Sequence, residues 1–271
     1  MNKGVNKRFW ENLTTLDFHK IDLENSLVIL PIAAIEQHGP HLPVSVDSKI
    51  IDGIVNLLVK KLPKKSKAIF LPTQKFGKSN EHLAFPGTLS LSTETLYSTL
   101  LDIGSSVSSS GAKKLLLINS HGGNISVLDT VARELRVRHN LIVFTLNWFS
   151  LGVPEEIYSK DELNHGIHAG DIETSIMLAL DPNNVSMERA KNFIPKTKTI
   201  EKESKHIGVN FGAKFGWQIQ DLNKFGACGN AKIASVEKGK LTLNFVCKKI
   251  LEVIKEIEAI PFSLISDDTA Y

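Results

Sequence analysis

The sequence predicts an α/β fold, three layers deep (α/β/α), with a mostly parallel sheet between helices. Two observations lead there: apolar runs rich in β-branched residues alternate with longer segments of helical period, and no linker-like tract divides them. A third is the length, 271 residues, which α/β units reach as one piece. Residues 1–271 therefore read as a single domain, with a core over about 20–258.

The elements follow in order. Ser26–Ala34 (SLVILPIAA) reads as a buried strand, and Ser48–Lys61 as the helix after it, with Ile50, Ile51, Ile54, Leu57 and Leu58 on one stripe. Ala68–Leu71 is a short strand. Ser92–Ser109 is helical, with Leu96, Leu100, Ile103 and Val107 recurring at three or four, and it closes before Gly111. Lys114–Asn119 is a strand, Ile125–His139 a helix and Leu141–Leu146 a further strand. Gly170–Leu180 and Lys240–Ala259 are helices, the second long and amphipathic. The lysine-rich stretches Lys60–Lys67 and Lys196–Lys205 read as solvated loops.

Composition excludes several classes of function. With 42% hydrophobic residues the chain is neither disordered nor collagen-like. Its 32 Lys+Arg against 29 Asp+Glu leave a net charge of +3, which demands no basic face, so no nucleic-acid partner is expected. Leu27–Ile35, the longest apolar run, spans nine residues and contains Pro31; a membrane span needs about 20. Met1–Trp10 has basic residues but no apolar stretch behind them. Cys228 and Cys247 are too few for a disulfide framework. The expectation is a cytoplasmic protein with no membrane partner.

Three familiar motifs are absent. Gly77-Lys78-Ser79 ends like a phosphate-binding loop, but the first glycine of such a loop would fall at Pro72, which has no N–H to offer a phosphate. No GxGxxG follows the first strand, and no GxSxG elbow occurs.

Polar residues instead collect at strand ends, where open α/β sheets place their sites. After the first strand comes Glu36-Gln37-His38-Gly39-Pro40-His41-Leu42-Pro43, with Asp47 beyond it. Glu36 and His38 are two apart and share a side in extended chain. The glycine and prolines turn the backbone so that Asp47 can return to them. Two carboxylates and an imidazole suit Zn, Mn or Fe, although Asp47 also reads as a cap for the helix at Ser48.

A second cluster, Asn119-Ser120-His121-Gly122-Gly123-Asn124, follows the Lys114–Asn119 strand, and its glycines allow backbone to approach a ligand. It also reads as a plain glycine turn. The third is His165–Ser175, where Glu173 shares the apolar stripe of its helix with Ile176, Met177 and Leu180. A carboxylate there needs a partner, which a metal or a buried Arg would supply. Together Glu36, His38, Asp47, His121 and Glu173 are enough ligands for two cations. Such a pair can hold a hydroxide and polarise a carbonyl, leaving His168 free to move a proton.

Pro31–Asp47 (PIAAIEQHGPHLPVSVD), Glu81-His82 with Phe85-Pro86-Gly87-Thr88, Asn119–Asn124 (NSHGGN) and His168–Ser175 (HAGDIETS) resemble the creatininase family of metal-dependent amidohydrolases. The late segment with Gly216-Trp217, Asp221, Gly226, Gly229-Asn230-Ala231 and Glu237-Lys238-Gly239 is similar to it too. The resemblance implies a creatininase-like α/β/α fold, two divalent metal ions (Zn, Mn or Fe), hydrolysis of a C–N amide-type bond in a small molecule, and a homo-oligomer, a hexamer in the family. Its members include creatinine amidohydrolase, a formamide hydrolase acting on a formamidopyrimidine nucleotide, and a peptidase that trims a mycofactocin precursor.

By the same resemblance, Glu36 holds one metal with His121, His38 holds the other, and Asp47 bridges. His168 is similar to the family's catalytic histidine, and Glu173 to its late carboxylate near the metals. Creatininases proper resemble H-Y-E-N at the second cluster, where the Tyr touches substrate and the Glu binds metal. Here those positions are Gly122 and Gly123. This implies a place nearer the formamide hydrolase and peptidase branches, with Glu173 as the carboxylate for the His38 metal.

The expected reaction is attack by a metal-bridging hydroxide, with the Gly122, Gly123 and Asn124 turn at the substrate oxyanion and His168 protonating the departing nitrogen. Glu81 and His82 are expected at the site mouth, with Trp217 and Asp221 shaping the pocket or an oligomer contact. Two rival readings keep the same fold: a mononuclear lyase or epimerase, and a non-catalytic metal- or nucleotide-binding module.

Overall fold

The computed structural model describes residues 7–209 and 211–270. At its centre lie four parallel strands in the order β2-β1-β3-β4: β1 (Leu27–Ile32), β2 (Ile69–Phe70), β3 (Lys114–Asn119) and β4 (Ile142–Asn147). The helices that position the site are α1 (Val46–Lys61), α2 (Thr93–Ser109), α3 (Ile125–His139), α4 (Lys160–His165), α5 (Asp171–Leu180) and α6 (Val236–Ala259). The three-layer prediction is borne out, and strand periodicity explains it. Along β1, Leu27 and Ile29 point to one face, where they pack with Leu116, Ile118 and the apolar stripes of α1, α5 and α6. Val28, Leu30 and Ile32 point to the other face, with Leu115, Leu117 and the stripes of α2 and α3. A strand covered on both sides has no reason to alternate polar and apolar residues, so β1 and β3 are buried at every position.

Boundaries moved where a cap or a buried charge decides them. The last helix starts at Val236, four residues before its apolar stripe became legible, because the Ser235 hydroxyl accepts the Lys238 N–H at 3.3 Å. Lys114 opens β3 with its side chain buried. Its ammonium donates to the carbonyls of Ile257, Glu258 and Ile260, closing the C-terminal end of α6. Between α5 and α6 lie elements too short to leave a periodic signal. Asn192–Phe193 pairs antiparallel with Gly229–Asn230, and Ile207–Gly208 pairs parallel with Ala213–Lys214. Among the described residues, no helix is long and apolar enough to cross a membrane.

Strand order places the site. β1 has β2 on one side and β3 on the other, so the chain reverses direction across the sheet between β1 and β3. Crevices open at such a switch point beyond the strands' carboxyl ends. Ile32 and Asn119 are register partners there, and the segments leaving them carry Glu36 and His121.

Candidate metal centre

After β1 the chain folds back on itself. Gly39 sits at φ +67°, the Glu36 N–H donates to the Val44 carbonyl at 2.9 Å, and His38 bridges to Leu42. This returns Asp47 to His38, as the sequence suggested. Asp47 does not cap its helix, however. The helix begins at Val46 with Ser45 at the cap position, so Asp47 lies in the first turn and points inward. Glu36, His38 and Asp47 are each no more than 2% exposed.

Donor bookkeeping fixes the imidazoles, since a carbonyl oxygen can only accept. His38 Nδ1 lies 2.9 Å from the Glu36 carbonyl and so carries the proton there. Its Nε2 lone pair faces Asp47 Oδ1 at 3.7 Å and Glu173 Oε2 at 3.9 Å. His121 Nε2 donates to the Lys78 carbonyl at 2.9 Å, which leaves Nδ1 facing Glu36 Oε2 at 3.2 Å and Asp47 Oδ2 at 3.6 Å. At His38 a lone pair thus faces lone pairs. Glu36 Oε2, His38 Nε2 and Asp47 Oδ2 are buried without a hydrogen-bond partner, a costly arrangement unless a cation lies among them.

Three groupings could hold a metal ion: Glu36, Glu81 and His121; His38, Asp47 and Glu173; and Glu36, His38 and His168. With no cation bound, Glu36, Glu81 and Asp47 outweigh burial and raise the His121 pKa well above its usual value, so a metal at Nδ1 would displace a proton. Burial pushes the Asp47 carboxyl well above its usual range, and the Glu36 charge adds to the effect. Burial also raises Glu173. For Glu36 burial acts in the same direction, but the charge of a protonated His121 overcomes it and holds the carboxyl well down. The donor set is mixed imidazole and carboxylate, as Zn and Mn accept.

Glu173 enters from the first turn of α5, and its Oε2 accepts the Ala169 N–H at 2.5 Å. Ala169 makes that contact at φ +53°, a left-handed conformation costing a non-glycine residue about 1–2 kcal/mol. The strained residue directly follows His168. The His168 ring lies between those of His38 and His82, tilted at 36° and 31° with centroids 4.1 and 4.3 Å away. Its Nε2 donates to the Gln37 carbonyl at 2.8 Å, and its Nδ1 faces Glu36 Oε1 at 3.7 Å. Burial and the neighbouring His38 lower its pKa to about 4, so the ring is neutral at pH 7 with its lone pair on the site.

Two expected placements need correction. His82 lines the cavity but at its floor and not its mouth: it is 2% exposed, and its Nε2 lies 3.4 Å from Glu36 Oε1. Asn124 does not reach the cavity. Its side chain donates to the Ala33 carbonyl and to Asn119 Oδ1 and accepts the Lys78 N–H, tying three loops together beneath the site. Gly122, Gly123, Glu81 and Trp217 do line the cavity, which measures about 1150 Å³ and has Phe149 and Phe215 on its walls. Asp221 instead caps a short helix, accepting the Gln218 N–H at 2.8 Å.

Gln37 was missed. Its side-chain N–H groups donate to His82 Nδ1 at 2.7 Å and to the Gly226 carbonyl at 2.9 Å, and its oxygen accepts the Gly39 N–H at 2.9 Å. The one sequence cue was its place between Glu36 and His38. Gly77-Lys78-Ser79, no phosphate loop, is nevertheless a wall of the site through the Lys78 carbonyl.

Comparison with known proteins gives the family. A family profile described as creatinine amidohydrolase matches residues 11–254. The mycofactocin precursor peptide peptidase of Mycolicibacterium smegmatis is 32% identical over 161 residues, 59% of this chain and 60% of that protein. The creatinine amidohydrolase of Pseudomonas putida is 29% identical over 94% of this chain and 98% of its own length. Solved creatininases, one described as the Mn form and one variant as Zn–Zn type, superpose with TM-scores of 0.75 and 0.74 at 26% identity, each over 93% of this chain and 99% and 98% of theirs. A profile match spanning both the strand-end clusters and the sheet that presents them makes this chain a member of the creatininase family.

Proposed function

We propose that this protein is a metal-dependent hydrolase of a C–N amide-type bond, working with two divalent cations (Zn, Mn or Fe). The observation that carries the reading is Asp47. One of its oxygens faces His38 Nε2 and the other faces His121 Nδ1, at 3.7 and 3.6 Å; the first nitrogen presents a lone pair, and the second would do so once a cation displaced its proton. Glu36 and His121 would hold one cation, His38 and Glu173 the other, and Asp47 would reach both. Bound there, the cations would lower the pKa of a water towards about 7 and polarise a carbonyl. A relative described as Zn–Zn type supports the count of two.

The chain's own groups would do the rest. His168, neutral and with Nδ1 towards Glu36, would accept the proton of the attacking water and return it to the departing nitrogen. The His38 and His82 rings on either side would limit the His168 ring to that orientation. The Gly122–Gly123 turn would form a side-chain-free wall against the substrate carbonyl.

A cavity of about 1150 Å³ with an aromatic wall of Phe149, Phe215 and Trp217 favours an amide larger than creatinine. This agrees with the loss of a side chain at 122, where a Cβ would meet open space. The test is metal analysis followed by turnover. The metal-replete protein should hold close to two equivalents, and it should release formate or an amine from formamides or short peptides faster than it opens creatinine. Less than one equivalent bound would overturn the reading.

A further inference from the structure

The turn Asn80–His82 places two consecutive side chains under the site. His82 meets Glu36, and Glu81 meets His121, with Oε1 3.3 Å from His121 Nε2. Nε2 is the nitrogen that turns away from Asp47. It carries the proton and also lies 2.9 Å from the Lys78 carbonyl and 3.3 Å from Ser79 Oγ. Glu81 is the only charged group in that set, and its side chain is 14% exposed.

Residue 123 explains why Glu81 fits. A Cβ built on Gly123 would land on Glu81 Oε1, the Lys78 carbonyl and His121 Nε2. The Lys78 carbonyl by itself bars a side chain at 123 in this backbone, and the Glu81 carboxylate lies in the same space. We propose that Glu81 is a positioning residue, its carboxylate occupying the space that Gly123 leaves open and acting on the His121 metal site through the Nε2 proton. A carboxylate behind the distal nitrogen makes the ligating nitrogen more basic and holds the ring in plane.

This inference rests on the metal reading above, and the experiment separates the two. Metal-stripped wild type, Glu81→Ala and Glu81→Gln are titrated with Co(II), reading d–d absorbance in competition with a chelator, and the melting temperature of each stripped protein is measured. Wild type should fill two sites. Glu81→Ala should weaken one by about 10–100-fold, leaving the other site, the saturating stoichiometry and the melting temperature of the stripped protein unchanged. Glu81→Gln, whose amide oxygen still accepts from Nε2–H, should recover part of the loss. Wild-type affinity at both sites in both variants would overturn the proposal while leaving the metal reading intact. Loss of a whole equivalent at saturating Co(II) in Glu81→Gln would also overturn it, by making Glu81 a direct ligand. A wild type that takes up no Co(II) would overturn both.

Discussion

The side-chain amide of Gln37 lies 2.7 Å from His82 Nδ1 and so decides which nitrogen of His82 carries the proton. An amide N–H can only donate, so Nδ1 accepts and Nε2–H points at Glu36 Oε1, 3.4 Å away. Burial, together with the nearby His168, lowers the His82 pKa to about 2 and keeps the ring neutral. One oxygen of Glu36 is thereby engaged, and the other stays free towards His121.

Gln37→Glu would reverse this chain. A carboxylate at 37 accepts from Nδ1–H, which turns a bare Nε2 towards Glu36. Metal affinity and turnover should both fall by about 10–100-fold. Chelator competition measures the first, and wild-type affinity in the variant would refute the tautomer argument.

Asp47→Asn replaces one of two facing oxygens with an amide that carries protons. Its N–H can donate to an imidazole lone pair but cannot bind a cation on that side, so it cannot serve two cations as a carboxylate would. The variant should hold fewer than one cation when wild type holds two, by elemental analysis after gel filtration, and the metal-induced rise in melting temperature should shrink with it. Two cations retained would show that Asp47 does not bridge.

His168→Gln should separate binding from chemistry. A neutral His168 acting in proton transfer contributes about 10²–10⁴-fold, so kcat should drop by that order while metal content stays at the wild-type level. His168 also belongs to a metal-capable grouping with Glu36 and His38. Loss of metal in this variant would make it a ligand instead.

His41 offers a test in acid. Burial and the neighbouring His38 and His168 lower its pKa from 6.5 to about 4, and its ring contacts Thr174 Oγ1 at 3.0 Å. The folded pKa lies below the unfolded one, so this stability is complete above pH 6.5 and is lost as pH falls from there to about 4. Removing the titration through His41→Gln should flatten the pH dependence of the unfolding free energy in that window by up to one proton, or ~1.4 kcal/mol per pH unit. Urea melts of the metal-free protein from pH 7 to 4 measure it, and parallel slopes would exclude His41.

Much of this was legible in the linear chain, for definite reasons. Sheet and helices declared themselves because burial on both faces imposes long apolar runs and regular stripes, as in β1 and α1. Glu36, His38, Asp47, His121 and Glu173 stood out because charged or ligating residues are costly at strand ends and on apolar stripes without a partner. What stayed hidden was relational. Gln37 and Lys114 are ordinary surface types by composition, and only their partners 45 residues away at His82, or 143 away at Ile257, make them structural. His82 and Asn124 carried no mark of which way they would face. The sequence by itself settled which residues are expensive to bury and therefore where chemistry gathers. Tertiary structure alone decided which nitrogen of each imidazole is protonated, which oxygens lack a partner, and that Glu81 stands in the space beside Gly123. Those properties depend on contacts between segments that no local pattern encodes.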